Sequence, residues 1–391
     1  MIELIIDNNK DVKKIAALEN GKLVEIYEEN EESKNARNEG NIYLGIVKDI
    51  VPGMQAAFVD IGTEKKGFIH VKDVIPQVDE KIEKRIDLKI KDVIKSGQKI
   101  LIQIQKDSND KKGARTSTHI KLAGKYVILM PRTNIVTISQ KVVNEKEKER
   151  LLNIIKTNLP KNTGVIIRTA AENKTEKELV EDLKQLIKKW EKINLKFEKG
   201  DNKPQLLFKS PSIIEKLILD LPENKIEKII VNNQEESDEI KEILTETHEN
   251  IKIEIEQNLL EKYELEKQIE KSRQRKIWLN CGGFITIDST EALIAIDVNS
   301  GKFTGKSTLE ETVYKVNYEA TIEIAKQLRL RDIGGIIIID YIDMQKQENK
   351  DKIEKLLKEC LKQDRAKTQV EGFTKLNLME LTRKHICSHN S

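Results

Sequence analysis

"ALIAIDVNSGKF", residues 292–303, and "GGIIIIDYIDM", residues 334–344, share one shape: an apolar run that ends in an aspartate. The stretch between them, "STLEETVYKVNYEATIEIAKQLRLRD", reads as a helix. Its apolar stripe is Leu309, Val313, Val316, Ala320, Ile324 and Leu328, and Ser307 with Glu310 forms a capping box at its start. Strand, helix, strand is a βαβ unit, so the two strands are predicted to run parallel. Asp297 and Asp340, each ending a strand, then emerge on the same edge, where open α/β sheets bind ligands.

Two ionised carboxylates that close repel unless a proton or a cation sits between them. Oxygen ligands with no cysteine or histidine nearby favour Mg²⁺, with Mn²⁺ as the alternative. Asn299 shares the first loop and is placed to orient Asp297 by a hydrogen bond. A cation held there activates water and stabilises a pentavalent phosphorus, so the chemistry implied is phosphodiester hydrolysis. Spacing alone leaves an equal alternative open, in which both aspartates cap loops at strand ends. Asp343 is a further acid in the stretch, with a structural role expected. Lys302, Lys306, Arg329 and Arg331 are candidate contacts for a polyanion backbone, each with a solvated helix face as the plainer reading.

Working outward, "GGFITIDSTEALIAID" reads as two strands joined by a turn around Asp288–Ser289–Thr290. Residues 215–276 alternate strand ("IEKIIVNN", "NIKIEIEQ") with charged helix. Residues 119–214 mix the strands "KYVILMP", "NIVTISQKV" and "TGVIIRTA" with charged helices. In one of these Leu179, Leu183, Leu186, Ile187 and Trp190 recur at helical spacing. Residues 38–118 hold short apolar runs punctuated by glycines 40, 45, 53, 62 and 67. That pattern predicts a small barrel whose strands bend at glycine, closed by a strand around "QKILIQIQKD", with "DEKIEKRIDLKIKD" as a charged insertion. Residues 1–35 read as β-rich, with "ENG" as a hairpin turn.

The chain has 391 residues, enough for two to four domains. Charged residues make up 35% and aromatics only 4%, so much of the surface is solvated helix. The net charge of +3, from 69 basic and 66 acidic residues, excludes a uniformly basic polyanion binder but allows local basic patches. The three cysteines, Cys281, Cys360 and Cys387, lie too far apart in sequence to suggest a disulfide framework. The start "MIELIIDNNKDVKK" has no secretion pattern, and no apolar run reaches membrane-spanning length. A cytoplasmic protein is expected, without a membrane partner.

"AIDVNSGKFTG", "EETVYKVNYEATIEIAKQLRLRDIGGIIIIDYIDM" and "QDRAKTQV" resemble the catalytic region of the ribonuclease E/G family. "GMQAAFVDIGTEKKGFIHVKDV" resembles that family's S1 RNA-binding domain; "KLAGKYVILMP" and "GVIIRTA" resemble its 5′-sensing region. The resemblance covers nearly the whole chain in the expected order. It implies an α/β multidomain fold: a ribonuclease-H-like subdomain (1–35 and 215–276), interrupted by an S1 (OB-fold) barrel (38–118) and a 5′-sensor (119–214), then a DNase-I-like catalytic subdomain (277–391). It also implies a Mg²⁺-dependent endoribonuclease that cleaves single-stranded, A/U-rich RNA and favours 5′-monophosphorylated ends, in RNA processing (ribosomal RNA among it) and messenger decay. The alternative from another class is a non-catalytic S1-domain RNA-binding protein, which has no need of the carboxylate pair.

Residue by residue, the resemblance puts the catalytic metal on Asp297 and Asp340, with Asn299 in support. It puts RNA contacts on Phe58, Phe68 and Lys112, where barrel core is the competing reading for both phenylalanines. The 5′-phosphate sensor falls on Arg168 and Thr169, with Gly124 and Ile128 lining the pocket. A guanidinium fork beside a hydroxyl suits a terminal phosphate. Lys367, in "DRAKT", stands where the family has an arginine, which keeps the charge but loses the bidentate fork and weakens the sensor. In the family a Cys-Pro-x-Cys motif, through which two subunits share one zinc, usually comes soon after the catalytic subdomain; after that subdomain this sequence reads "RKHICSHNS", with one cysteine and two histidines. Cys387 with His389 is at most a degenerate half-site, so zinc is not expected and a zinc-linked dimer is doubtful. A homodimer through the catalytic subdomain stays open.

Overall fold

The computed structural model describes residues 1–9, 12–30, 38–75, 88–108, 112–221, 226–247, 250–301, 308–362 and 364–386. The chain divides into two compact units, Met1–Asn30 with Leu221–Cys387, and Glu31–Asp220.

The first unit holds two sheets. One has five strands in the order Lys252–Ile255, Ile226–Val231, Ile2–Asn8, Lys13–Glu19, Lys22–Glu29. The two outer pairings on the Ile226–Val231 side are parallel and the rest are antiparallel. The predicted "ENG" hairpin is present, with Asn20 and Gly21 both at positive φ, the backbone of a tight two-residue hairpin turn.

The second sheet has six strands. β1 (Lys276–Trp278), β2 (Phe284–Ser289) and β3 (Ile294–Asn299) form an antiparallel ribbon. Helix α1 (Leu309–Leu330) then carries the chain to β4 (Gly335–Asp340), which pairs parallel with β3. After α2 (Gln347–Leu361) come β5 (Thr368–Phe373) and β6 (Leu378–Arg383), giving the order β1-β2-β3-β4-β6-β5. The predicted βαβ unit is present; the β2–β3 turn lies at Thr290–Leu293, later than predicted, because Asp288 and Ser289 are still paired with Ala295 and Ile294.

Both helices cover one face of this sheet. Ile285, Ile287, Ile296, Val298, Ile337, Ile339, Met379 and Leu381 meet Val316, Ala320, Ile324 and Leu328 of α1 and Ile353, Leu357 and Leu361 of α2 in one core. The alternate residues of each strand face outward, the period-2 consequence of a pleated sheet with one side covered. Leu309, read above as part of the α1 stripe, is instead 76% exposed, because the first turn runs past the edge of the core. Ser307 lies outside the described residues; Thr308 caps α1 and accepts the Glu311 N–H.

In the second unit, strands Ile42–Val51, Ala56–Asp60, Gly67–His70, Arg115–Ser117 and Lys99–Lys106 close into a five-stranded barrel, because Ile42–Val51 pairs with Lys99–Lys106 as well as with its sequence neighbour. Most of the charged insertion falls outside the described residues. Beyond the barrel lies a four-stranded sheet that includes Val127–Pro131 and Thr163–Ile167, backed by helices Glu145–Asn158 and Glu176–Lys199. Leu179, Leu183 and Leu186 of the longer helix are buried in its core, and Ile187 and Trp190 pack against it.

Candidate active site

β3 and β4 pair in register with Asp297 opposite Asp340. Both side chains are exposed, on the sheet face that the helices leave open. Neighbouring parallel strands lie about 4.8 Å apart, so the carboxylates leave the backbone side by side. One detail differs from the sequence reading. Asp340 ends its strand, but β3 runs on to Asn299, and Asp297 sits two residues short of that end. The pair therefore stands on the open face, and the residue at the strand end is Asn299. Its Nδ2 donates to Asp297 Oδ2 at 2.6 Å, the orienting bond expected from the sequence.

The electrostatics are unfavourable for two anions. Partial burial raises the Asp340 carboxyl above its usual range, and the charges of Asp297 and Asp343 push it further the same way. Arg275, a cation within reach of the Asp297 field, is paired with Asp288 at 2.5 Å. Among the described residues no cation forms an ion pair with either carboxylate, and no cluster of three or more His, Cys, Asp or Glu is gathered into a metal cage. Two carboxylates without a third protein ligand are the donor set for a cation that keeps waters or shares substrate oxygens, as Mg²⁺ does.

Several residues that the sequence reading missed hold the site in shape. Asn317, fully buried on α1, donates to the Ile342 carbonyl at 2.8 Å and accepts the Ile342 N–H at 3.1 Å. This pins the backbone just past Asp340. Tyr341 and Thr321 share a buried hydroxyl bond at 2.8 Å. Glu310 accepts N–H bonds from Gln345 and Lys346 at the far end of the same loop. A buried amide at the centre of a helix was the available signal, since buried amides are hydrogen-bonded to something definite. On the β3 side, Gly301 adopts a positive φ of 59°, and a Cβ there would come within 2.5 Å of the Gly282 carbonyl.

Arg329 and Arg331 are half-buried and engaged within the chain. Arg329 lies 3.8 Å from Glu25 and near Glu19, and Arg331 donates to Gln327 and to the Gln274 carbonyl. Of the "DRAK" motif, Asp364 pairs with the fully buried Arg383 at 2.7 Å, and Arg365 pairs with Glu25 at 2.6 Å. These residues are structural. Asp343 is exposed and accepts a long bond from Asn377. Lys302, Lys306, Cys387 and His389 lie outside the described residues.

In the barrel, Phe58 and Phe68 are cross-strand partners whose rings meet edge to face with centroids 6.0 Å apart. Both are half-buried and outside the barrel core, which is built from Ala57, Val59, Ile61, Ile69 and their neighbours. The barrel-core reading of these rings is therefore set aside. Lys112 is exposed, beside Gly113, where a Cβ would collide with the Lys66 carbonyl.

Arg168 follows strand Thr163–Ile167 as expected, but its guanidinium is engaged within the chain. It donates to the Gly124 carbonyl at 2.6 Å and forms a close ion pair with Asp220. Thr169 shares a bond with Ser139 at 2.9 Å. The close approach at Gly124 is made by a protein carboxylate, since a Cβ there would lie 2.5 Å from Asp182, which accepts the N–H groups of Lys125, Tyr126 and Val127. Burial raises the Asp182 carboxyl despite those three donors. Ile128 is half-buried on the adjoining strand, and Lys367 is exposed, in the other unit, just before β5.

The Ribonuclease E/G family model matches residues 121–386, and the S1 RNA binding domain model matches residues 37–117. Ribonuclease G of Escherichia coli (strain K12) is 34% identical over 391 residues, covering 98% of this chain and 79% of the relative. Ribonuclease G of Haemophilus influenzae is 36% identical over 392 residues, with the same coverage. Ribonuclease E of Nostoc sp. is 36% identical over 354 residues, covering 88% of this chain and 51% of the relative. No helix among the described residues is long and apolar enough to cross a membrane.

Proposed function

This chain belongs to the ribonuclease E/G family and is an endoribonuclease, and we propose that it cuts single-stranded, A/U-rich RNA at the open face of the β1–β6 sheet with the aid of Mg²⁺. The observation that carries the reading is the in-register pair Asp297 and Asp340, two like charges left together with no protein counter-ion among the described residues. A divalent cation relieves that repulsion and, when bound, supplies an acidified water and a neutralising charge for the phosphate. The residues do the rest. Asp297 and Asp340 provide the oxygens, Asn299 fixes the rotamer of Asp297, and Asn317 holds the backbone that follows Asp340. In the barrel, Phe58 and Phe68 offer ring faces and edges to unstacked bases, and Lys112 offers a charge to the backbone. The domain assignment we favour is ribonuclease-H-like for 1–35 with 215–276, S1 for 38–118, 5′-sensor for 119–214 and DNase-I-like for 277–391.

Preference for a 5′-monophosphate rests on Arg168 and Thr169, lined by Gly124 and Ile128. In this chain the preference is modest, because a phosphate must displace Asp220 from Arg168. Processing of ribosomal RNA, messenger decay and a cytoplasmic location are consistent with that chemistry.

The test is a fluorescent A/U-rich oligonucleotide incubated with the purified protein, with Mg²⁺ or with EDTA. Fragments that appear only with Mg²⁺ are expected. Asp297→Asn and Asp340→Asn should bind the oligonucleotide and leave it intact. An oligonucleotide that stays bound and whole at saturating Mg²⁺ leaves only a gripping protein.

A further inference from the structure

We propose that Trp278 and Phe284 form a base-stacking platform beside the carboxylate pair, a second aromatic RNA contact on the catalytic sheet itself; the proposal rests on the endoribonuclease reading above. Trp278 is 60% exposed, unusual for the residue type with the most surface to hide. It sits on the open face of β1, directly opposite Phe284 of β2. The two rings meet edge to face with centroids 5.3 Å apart. Lys276 lies over both, its Nζ 4.1 Å from the Trp278 centroid and 3.6 Å from that of Phe284.

The register ties this cluster to the carboxylates. Lys276 opposes Thr286, Thr286 opposes Asp297, and Asp297 opposes Asp340, so one cross-strand row leads from the lysine to the acid pair. The next row places Trp278, Phe284 and Asn299 side by side, ending on the amide that holds Asp297. Strand spacing and rise put Trp278 roughly 12 Å from the Asp297 backbone, within reach of a base near the scissile phosphate.

The platform is also rigid. Leu279 N–H donates to the Gly283 carbonyl at 2.8 Å, Gly282 N–H donates back to Leu279 at 3.0 Å, and Cys281 N–H is held by Glu319 at 2.8 Å. Gly282 takes the positive φ that this β1–β2 turn needs. A Cβ on Gly283 would press within 2.8 Å of the Asn299 carbonyl, so glycine lets β2 and β3 close up here. An exposed ring held in place, with a cation over it and a phosphate site at the end of the row, matches what an unstacked nucleotide presents: a π-face and a negative backbone. A solvent-exposed anchor packing against a second copy of the chain is the competing occupant.

Two measurements separate these outcomes. The chain has two tryptophans, so Trp190→Phe leaves Trp278 as the sole emitter. A short 5′-phosphorylated A/U oligonucleotide added in EDTA should quench that emission, with no cleavage involved. In Mg²⁺, an abasic nucleotide scanned along the oligonucleotide should raise KM at one position close to the cut. Trp278→Ala should raise KM for the intact oligonucleotide roughly tenfold and erase the penalty at that position, while Trp278→Phe retains most of both. Emission indifferent to RNA overturns the proposal, as does an unchanged abasic profile in Trp278→Ala, or emission that follows protein concentration and not RNA. Quenching in EDTA without cleavage by the wild-type protein in Mg²⁺ would uphold the platform and sink the endoribonuclease reading.

Discussion

Asp297 with Asp340 and Arg168 with Asp220 are opposite solutions to the placement of charge. On the open face of the β1–β6 sheet two anions are forced together and nothing in the described chain neutralises them. At Arg168 a cation already has its anion, and a backbone carbonyl as well. The first arrangement is strained without a ligand and gains from any cation that fits. The second is satisfied without one, so an incoming phosphate must compete. A site left uncompensated points to obligatory chemistry; a site compensated from within points to modulation.

Asp340→Asn probes the comparison most severely. It removes one oxygen charge from the uncompensated pair and should lower cleavage by roughly a thousandfold at fixed Mg²⁺, the several kcal/mol expected of a lost metal ligand. The A/U oligonucleotide cleavage rate is the readout. A loss below tenfold would mean that the pair is not the centre of the reaction. Asn299→Ala should cost less, about tenfold to a hundredfold, because it loosens Asp297 without removing a charge. Its signature is a higher Mg²⁺ requirement, with activity partly restored at high Mg²⁺.

The pattern of apolar run, aspartate, helix, apolar run, aspartate was enough to place Asp297 beside Asp340, because a βαβ unit allows little else. Asn299 is legible only as a loop neighbour of Asp297; that the strand runs on and puts both side chains on one face of β3 is shown by the structure alone. What stayed illegible depends on partners distant in sequence. Nothing near Arg383 shows that Asp332 and Asp364 bury it, or near Arg365 that Glu25 awaits it from residues 340 positions away. Arg329 and Arg331, by sequence either backbone contacts for a polyanion or a solvated helix face, are engaged by Glu25 and by Gln327 with the Gln274 carbonyl. Trp278 passed unnoticed because an aromatic in a short strand is ordinarily core, and only the register shows that it faces outward.

At the compensated site the expected effect is smaller and its sign decides the role. Asp220→Asn frees the guanidinium of Arg168. Cleavage of a 5′-monophosphorylated oligonucleotide relative to its 5′-hydroxyl twin should then rise by about threefold to fivefold, the worth of a partly exposed ion pair. A fall in that ratio would show that Asp220 aims Arg168 at the phosphate, and the contrast between the two sites would blur.

The smallest effect tests the premise of strain directly, with no RNA present. If Asp297 and Asp340 repel in the folded protein and are separate in the unfolded chain, removing one charge must stabilise the fold. Both side chains are exposed, so screening limits the gain to a few tenths of a kcal/mol, or about 1 °C in Tm for a unit of this size. Metal-free Asp297→Asn should therefore melt slightly above the metal-free wild type, unlike most substitutions, which destabilise. Mg²⁺ should raise the wild-type Tm by binding only the folded state, and should leave the variant nearly unmoved. The two curves are expected to cross as Mg²⁺ is titrated. A variant that melts below the wild type at every Mg²⁺ concentration would mean that the carboxylates are not in conflict and that the face is built for something other than a cation.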